Sequence, residues 1–128
     1  MFTGPLPFNN LHGEKRFGLA SVFLVDCPTG GAQNKVWTSK SHRSGHRGPQ
    51  AFEVNTRAAL GALHAGIGHT HLSAIASTLN ISSMTHVTFK TREREVGQAL
   101  ENVAKNSCEK IRQAEKENAV AGNNVYCE

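Results

Sequence analysis

Cysteine and histidine are the side chains of this sequence whose types and spacing could support metal chemistry. Cys27, His42 and His46 form a Cys…His-x-x-x-His series, and Gly30 stands where a second cysteine would complete a Cys-x-x-Cys knuckle. Structural zinc takes four ligands, nearly always thiolates and imidazoles, and this series is one short. The histidine pair also straddles Gly45 and runs into Pro49, so the helix that usually presents such ligands is not expected. We therefore read Cys27 as a turn residue and expect no zinc. His64, His69 and His71 gather around Gly66-Ile67-Gly68 and could hold a metal or act as a base. His69 and His71 leave any regular element on different faces, with no carboxylate nearby in sequence. Capping and surface roles are expected, because helix ends have free backbone groups to satisfy. Cys108 reads as a small buried or half-buried apolar residue on a helix, and Cys127 carries no reading.

Charge is the second chemical signal. The net charge is +4, and residues 1–57 hold seven basic and three acidic side chains against seven of each in residues 58–128. The excess lies in Lys35, Lys40, Arg43, Arg47 and Arg57, with His42 and His46 among them. Such a cationic stretch can follow a phosphate backbone by releasing counterions, which makes these five residues the candidate DNA contacts. An ordinary solvated basic loop is the competing reading. Arg57 has a further attraction, since it falls just inside a predicted helix N-terminus, where anions are favoured. Lys90 and the alternating Arg92-Glu93-Arg94-Glu95 read as a solvated helix surface.

The elements that must position these residues follow from pattern. Residues 1–15, with Pro5, Pro7, Gly4 and Gly13, read as a tail. Phe17–Asp26 is the best strand, Cys27–Gly31 a turn, and Asn34–Thr38 a return strand, which gives a hairpin over about 17–38. Ser39–Pro49 lacks an apolar anchor and reads as a loop. Asn55 is the expected N-cap of a helix over 55–65, ended by Gly66. A second helix over 70–79 carries Leu72, Ile75, Ala76 and Leu79 and is closed by Asn80. A third, starting near Ser82 or Ser83, spans about 84–118 and is ended by Gly122. Its stripe of Val96, Leu100, Val103, Ser107, Ile111 and Ala114 could meet a partner or a second copy of the chain. The fold class expected is α+β, predominantly helical.

Phe52-Glu53-Val54-Asn55-Thr56-Arg57, Gly66-Ile67-Gly68, Leu79-Asn80-Ile81 and Ser83-Met84 together resemble the Mutator-like transposase domain of animal mobile elements. The similarity extends upstream through Gly18-Leu19-Ala20-Ser21 and Asp26-Cys27, and downstream through Phe89, Glu95-Val96-Gly97 and Ser107-Cys108, over roughly 16–118. The family commonly has Cys-x-x-Cys at Cys27, so Gly30 departs from it. The resemblance implies a hairpin and helices placed ahead of a catalytic core. It also implies DNA at transposon ends as partner and the nucleus as location. Related recombinases hold two divalent metals on two Asp and one Glu. Asp26 is the single aspartate here, so such a site and its metals are expected only in a catalytic core outside this sequence. Residues 119–128 are then expected to be a truncated end.

The expected function is a non-catalytic transposase segment that contacts DNA or supports assembly. The alternatives are a protein-interaction scaffold built on the long helix, or a relic of a decayed element. A helix-turn-helix reading is poorly supported, because His69–Leu79 offers almost no side chain able to read base edges. At 128 residues the chain is one domain or part of one. The longest apolar run, Leu19–Val25, is too short and too interrupted to span a membrane. Met1–Asn10 lacks a secretory pattern, and three cysteines make no disulfide framework, so an intracellular location is expected.

Overall fold

The structure is a computed structural model that describes residues 8–28, 30–43, 48 and 50–123. The chain divides into two units, residues 1–93 and residues 94–128. In the first, a 3-10 turn at Phe8–Asn10 leads into three antiparallel strands, β1 (Leu11–Phe17), β2 (Ala20–Asp26) and β3 (Gln33–Trp37), in the order β1-β2-β3. β4 (Ser41–Arg43) pairs with β5 (Gln50–Phe52) as a separate two-stranded ladder. Three helices follow: α1 (Glu53–Ala65), α2 (His69–Thr78) and α3 (His86–Asn123), the last continuing into the second unit. The class is α+β, as the sequence implies.

The strand region departs from that expectation in two places. Residues 11–15 are not a tail: they form most of β1, and the single strand expected over Phe17–Asp26 breaks at Gly18-Leu19, where β1 turns into β2. β1 is an edge strand whose Leu11, His12, Glu14, Lys15 and Arg16 are exposed, so its polar sequence carries no strand-like alternation. The supposed Ser39–Pro49 loop, where described, supplies β4, with Ser41, His42 and Arg43 opposite Phe52, Ala51 and Gln50. Three-residue strands are too short to show a period.

Asn55 is where local and global readings diverge most. Helix α1 starts two residues earlier than its expected cap, at Glu53, behind an extended Phe52 that makes no side-chain cap. The amide of Glu53 donates to the Lys40 carbonyl at 2.9 Å, and that of Val54 to Ser39 Oγ at 3.3 Å. Asn55, only 3% exposed, instead reaches the β1–β2 turn. Its Oδ1 accepts from the Leu19 amide at 2.9 Å and its Nδ2 donates to the Phe17 carbonyl at 2.8 Å. Between those two residues Gly18 takes φ +69°, and a Cβ there would lie 2.8 Å from both Asn55 Oδ1 and Met84 Cγ. Glycine is required here by backbone angle and by space together.

This latch joins two apolar clusters. Ala20, Val22 and Phe52, with Phe17 and Val54, form one under the sheet. Ala59, Ala62, Met84 and the fully buried Phe89, with Leu19, Ala58, Ile67 and Leu72, form the other among the helices. The helix ends follow the sequence closely. Gly66 at φ +66° ends α1, its amide on Leu63 O and that of Ile67 on Ala62 O; Asn80 at φ +54° ends α2 with the same pair of bonds, to Ser77 O and Ala76 O. Both are Schellman motifs. α3 begins later than Ser82 or Ser83, because Met84 is buried and Thr85 is the cap, its Oγ1 accepting from the Thr88 amide at 3.2 Å. It also runs on past Asn118 to Asn123, so Gly122, expected to end it, lies within the helix.

The second unit, through Asn123, is the continuation of α3. Every residue from 98 to 120 is exposed, including Leu100, Val103, Ile111 and Val120, and Cys108 too, which corrects its expected burial: no other element covers this part of the helix among the described residues. Glu101 and Lys105 form an i,i+4 pair at 3.8 Å.

Candidate nucleic-acid interface

Strand alternation decides which basic residues share a surface. Cross-strand partners lie on one face of a sheet. Ala20, Val22 and Leu24 of β2 therefore share a face with Phe17 and Lys15 of β1 and with Trp37 and Lys35 of β3. Phe17 and Trp37 both reach Phe52, with ring centroids 5.1 and 5.7 Å apart, so this face packs on the end of β5. The two lysines remain exposed beside it, and the Lys15 ammonium lies 5.5 Å from the Phe17 ring centre.

The second ladder extends the same surface. Ser41, Arg43, Gln50 and Phe52 alternate onto one side of it, and His42 with the buried Ala51 onto the other. Gln50 Nε2 donates to Ser41 Oγ at 2.6 Å. A shallow depression is lined by Trp37, Thr38, Ser39, Lys40, Ser41 and Gln50, with no carboxylate among its described lining residues. Of the candidate set, Lys40 lines this depression, Lys35 shares a sheet face with Trp37, and Arg43 shares the side of β4 that carries Ser41. Lys15, Trp37 and Gln50 were not singled out from the sequence; the pairing of β1 with β2 is what adds Lys15.

Arg57 lines a neighbouring depression that shares Ser39 and Lys40 with the first. It pairs with Glu53 at 3.2 Å, and the two share a depression with Ser39, Lys40 and Val54. The anion-binding capacity expected at this helix end is largely occupied, since two of its first amides are bonded to the β3–β4 connection and Glu53 offsets the guanidinium. Arg47 lies outside the described residues. So does His46, which leaves the Cys…His-x-x-x-His series without its last member in view. Cys27 is in the turn after β2, where its amide donates to Ala32 O at 2.9 Å, and His42 faces away from Arg43 on β4.

The histidine cluster separates. His64 and His71 are exposed, while His69 Nε2 lies 2.9 Å from the Met84 carbonyl and its ring meets His86 and Phe89 edge-on at 5.3 and 5.7 Å. Ser73 Oγ, 3.3 Å from that nitrogen, continues to Ser83 Oγ at 3.0 Å. His69 thus ties α2 to the start of α3 in a structural role. The reading of Arg92 as part of a solvated surface is corrected: it is 5% exposed, whereas Lys90 pairs with Glu93 at 2.6 Å on the outside. Helical position alone, with Phe89 three residues earlier on a buried face, was the missed signal.

The sheet's two acidic side chains, Glu14 in the middle of β1 and Asp26 at the end of β2, complete the electrostatics. Asp26 stands 3.4 Å from His12. Glu14 is held below the ordinary glutamate range, first by the Ser21 hydroxyl that donates to it and then by Arg16. Among the described residues, no three His, Cys, Asp or Glu side chains are grouped so as to hold a metal ion. Among the described residues, no helix is long and apolar enough to cross a membrane. No curated protein and no solved structure matches the chain. A family model described as Mutator-like transposase matches residues 2–128, in agreement with the motif series around Phe52–Met84, and the chain belongs to the Mutator-like transposase family.

Proposed function

We propose that this chain contacts DNA through the first unit and performs no strand chemistry itself. The observation that supports this most is that Lys40 lines a depression with Trp37 and no carboxylate among its described lining residues, while Lys35 shares the sheet face of Trp37 and Arg43 the ladder side of Ser41. The first unit carries nine basic and four acidic side chains, so its field attracts a polyanion. Phosphate contacts of this kind position a protein without reading sequence. The single aspartate, Asp26, cannot supply the two that the three-carboxylate chemistry of related recombinases needs, so divalent metals belong to a site made elsewhere. In this reading the protein works in the nucleus at transposon ends. A second reading, self-association through α3, is favoured by the exposed Leu100, Val103 and Ile111.

Supercoiled plasmid with magnesium at low salt tests both halves of the proposal. The chain should retard the plasmid without nicking it. Nicking abolished by Asp26→Ala, or no retardation at any protein concentration, would overturn the corresponding half.

A further inference from the structure

Trp37 is the chain's single tryptophan, and it lies on an edge strand with 45% of its surface exposed. Its ring rests on Phe52 at an angle of 31°. Aromatic rings bury large apolar areas on folding, so a half-open indole invites a reason. Its surroundings supply one. Lys35 lies two residues earlier on the same sheet face, Lys40 lines the same depression, and Arg43 shares the side of β4 that carries Ser41. Protein–protein patches are depleted in lysine at their centres, whereas an aromatic face within a cationic groove is the pattern that holds single strands. Bases in a duplex already stack on each other, so only an unpaired base can offer its face to an indole.

We infer that Trp37 stacks on an unpaired base of a nucleic-acid strand whose phosphates follow Lys35, Lys40 and Arg43. This rests on the DNA-contact reading and adds to it a preference for unpaired over paired DNA. Such stacking suits a protein that handles DNA ends, where strands open. The amide of Gln50 and the hydroxyl of Ser41, in the same depression, are polar groups beside the stacked base.

The test uses the whole chain and a thymidine oligonucleotide of about a dozen residues, enough to cover a site of this size. With one tryptophan, emission reports on this residue alone. The single strand should quench it at low salt, and a duplex of equal length should not. Trp37→Leu, which keeps apolar packing on Phe52, should weaken single-strand binding by roughly tenfold to a hundredfold, with duplex binding unchanged. Trp37→Phe should keep most of it; circular dichroism checks both folds. Unchanged emission with the single strand, or equal loss for both DNA forms in Trp37→Leu, overturns the stacking inference. The DNA-contact reading then still stands if duplex binding persists, and no binding of either form overturns both. A blue shift that grows with protein concentration without DNA would mean a second copy covers the indole, and would also overturn it.

Discussion

Residues 1–93 and 94–128 solve different problems with the same amino acids. The first unit holds nine basic and four acidic side chains, the second five and six. The first is held by contacts far apart in sequence, such as Asn55 with Phe17 and Leu19, and buries Phe89 completely. In the second, residues 98–120 are all exposed, and Glu101 pairs locally with Lys105. Helical propensity and neighbours three or four residues away sustain the second; tertiary packing specifies the first. The cationic surface sits where the fold is specified, so its geometry is fixed by packing. The helix beyond it has a balanced charge and little long-range field of its own.

The sharpest way to break this contrast is truncation. Phe89→Ala should destabilise the first unit by about 3–5 kcal/mol, whereas Ile111→Ala should stay within about 0.5 kcal/mol. Thermal melts of the two variants check this, and similar losses would mean that α3 is packed to its end. Glycine gives a contrast of sign. Gly18→Ala places a Cβ against Asn55 and Met84 at a positive φ and should cost about 2–4 kcal/mol. Gly97→Ala, with nothing within 4 Å, should add about 0.5–1 kcal/mol of helix stability, read as helix content on heating.

The smallest effect concerns Glu14. Its carboxyl titrates lower in the folded chain than in the unfolded one, so the ionised form favours folding. That contribution is present above the unfolded value and is lost as pH falls through the folded value. Ser21→Ala should move the Glu14 titration upward toward the ordinary range, followed by carboxyl chemical shifts against pH. No movement would assign the effect to Arg16 alone.

These contrasts also mark what was legible in the sequence. Gly66 and Asn80 end their helices as read, because a left-handed cap depends on one residue and its near neighbours. Asn55 was read as a cap because that role needs the same side-chain oxygen; its actual partners are 36 and 38 residues away, beyond any local pattern. β1 was missed because an edge strand facing water has no apolar period, and with it went Lys15. Lys35, Lys40 and Arg43 were singled out as candidates from charge alone. The depression that Trp37 shares with Lys40 requires two separate sheets to meet at Phe52, which no spacing rule encodes. Arg57 was attractive for its place at a helix N-terminus, and its pairing with Glu53 is a local i,i+4 contact.

The central claim, that the first unit's cationic face meets DNA, is tested most directly by the salt dependence of duplex binding in two triple variants. Each phosphate contact contributes about 0.9 to the slope of log affinity against log salt. Replacing Lys35, Lys40 and Arg43 with glutamine should flatten the slope by up to about 2.7 units and weaken all sequences alike. Replacing Lys105, Lys110 and Lys116 with glutamine should change it far less, because Glu101, Glu109, Glu115 and Glu117 share that helix. Equal flattening in both variants would show that net charge alone drives binding and would contradict the assignment to this face.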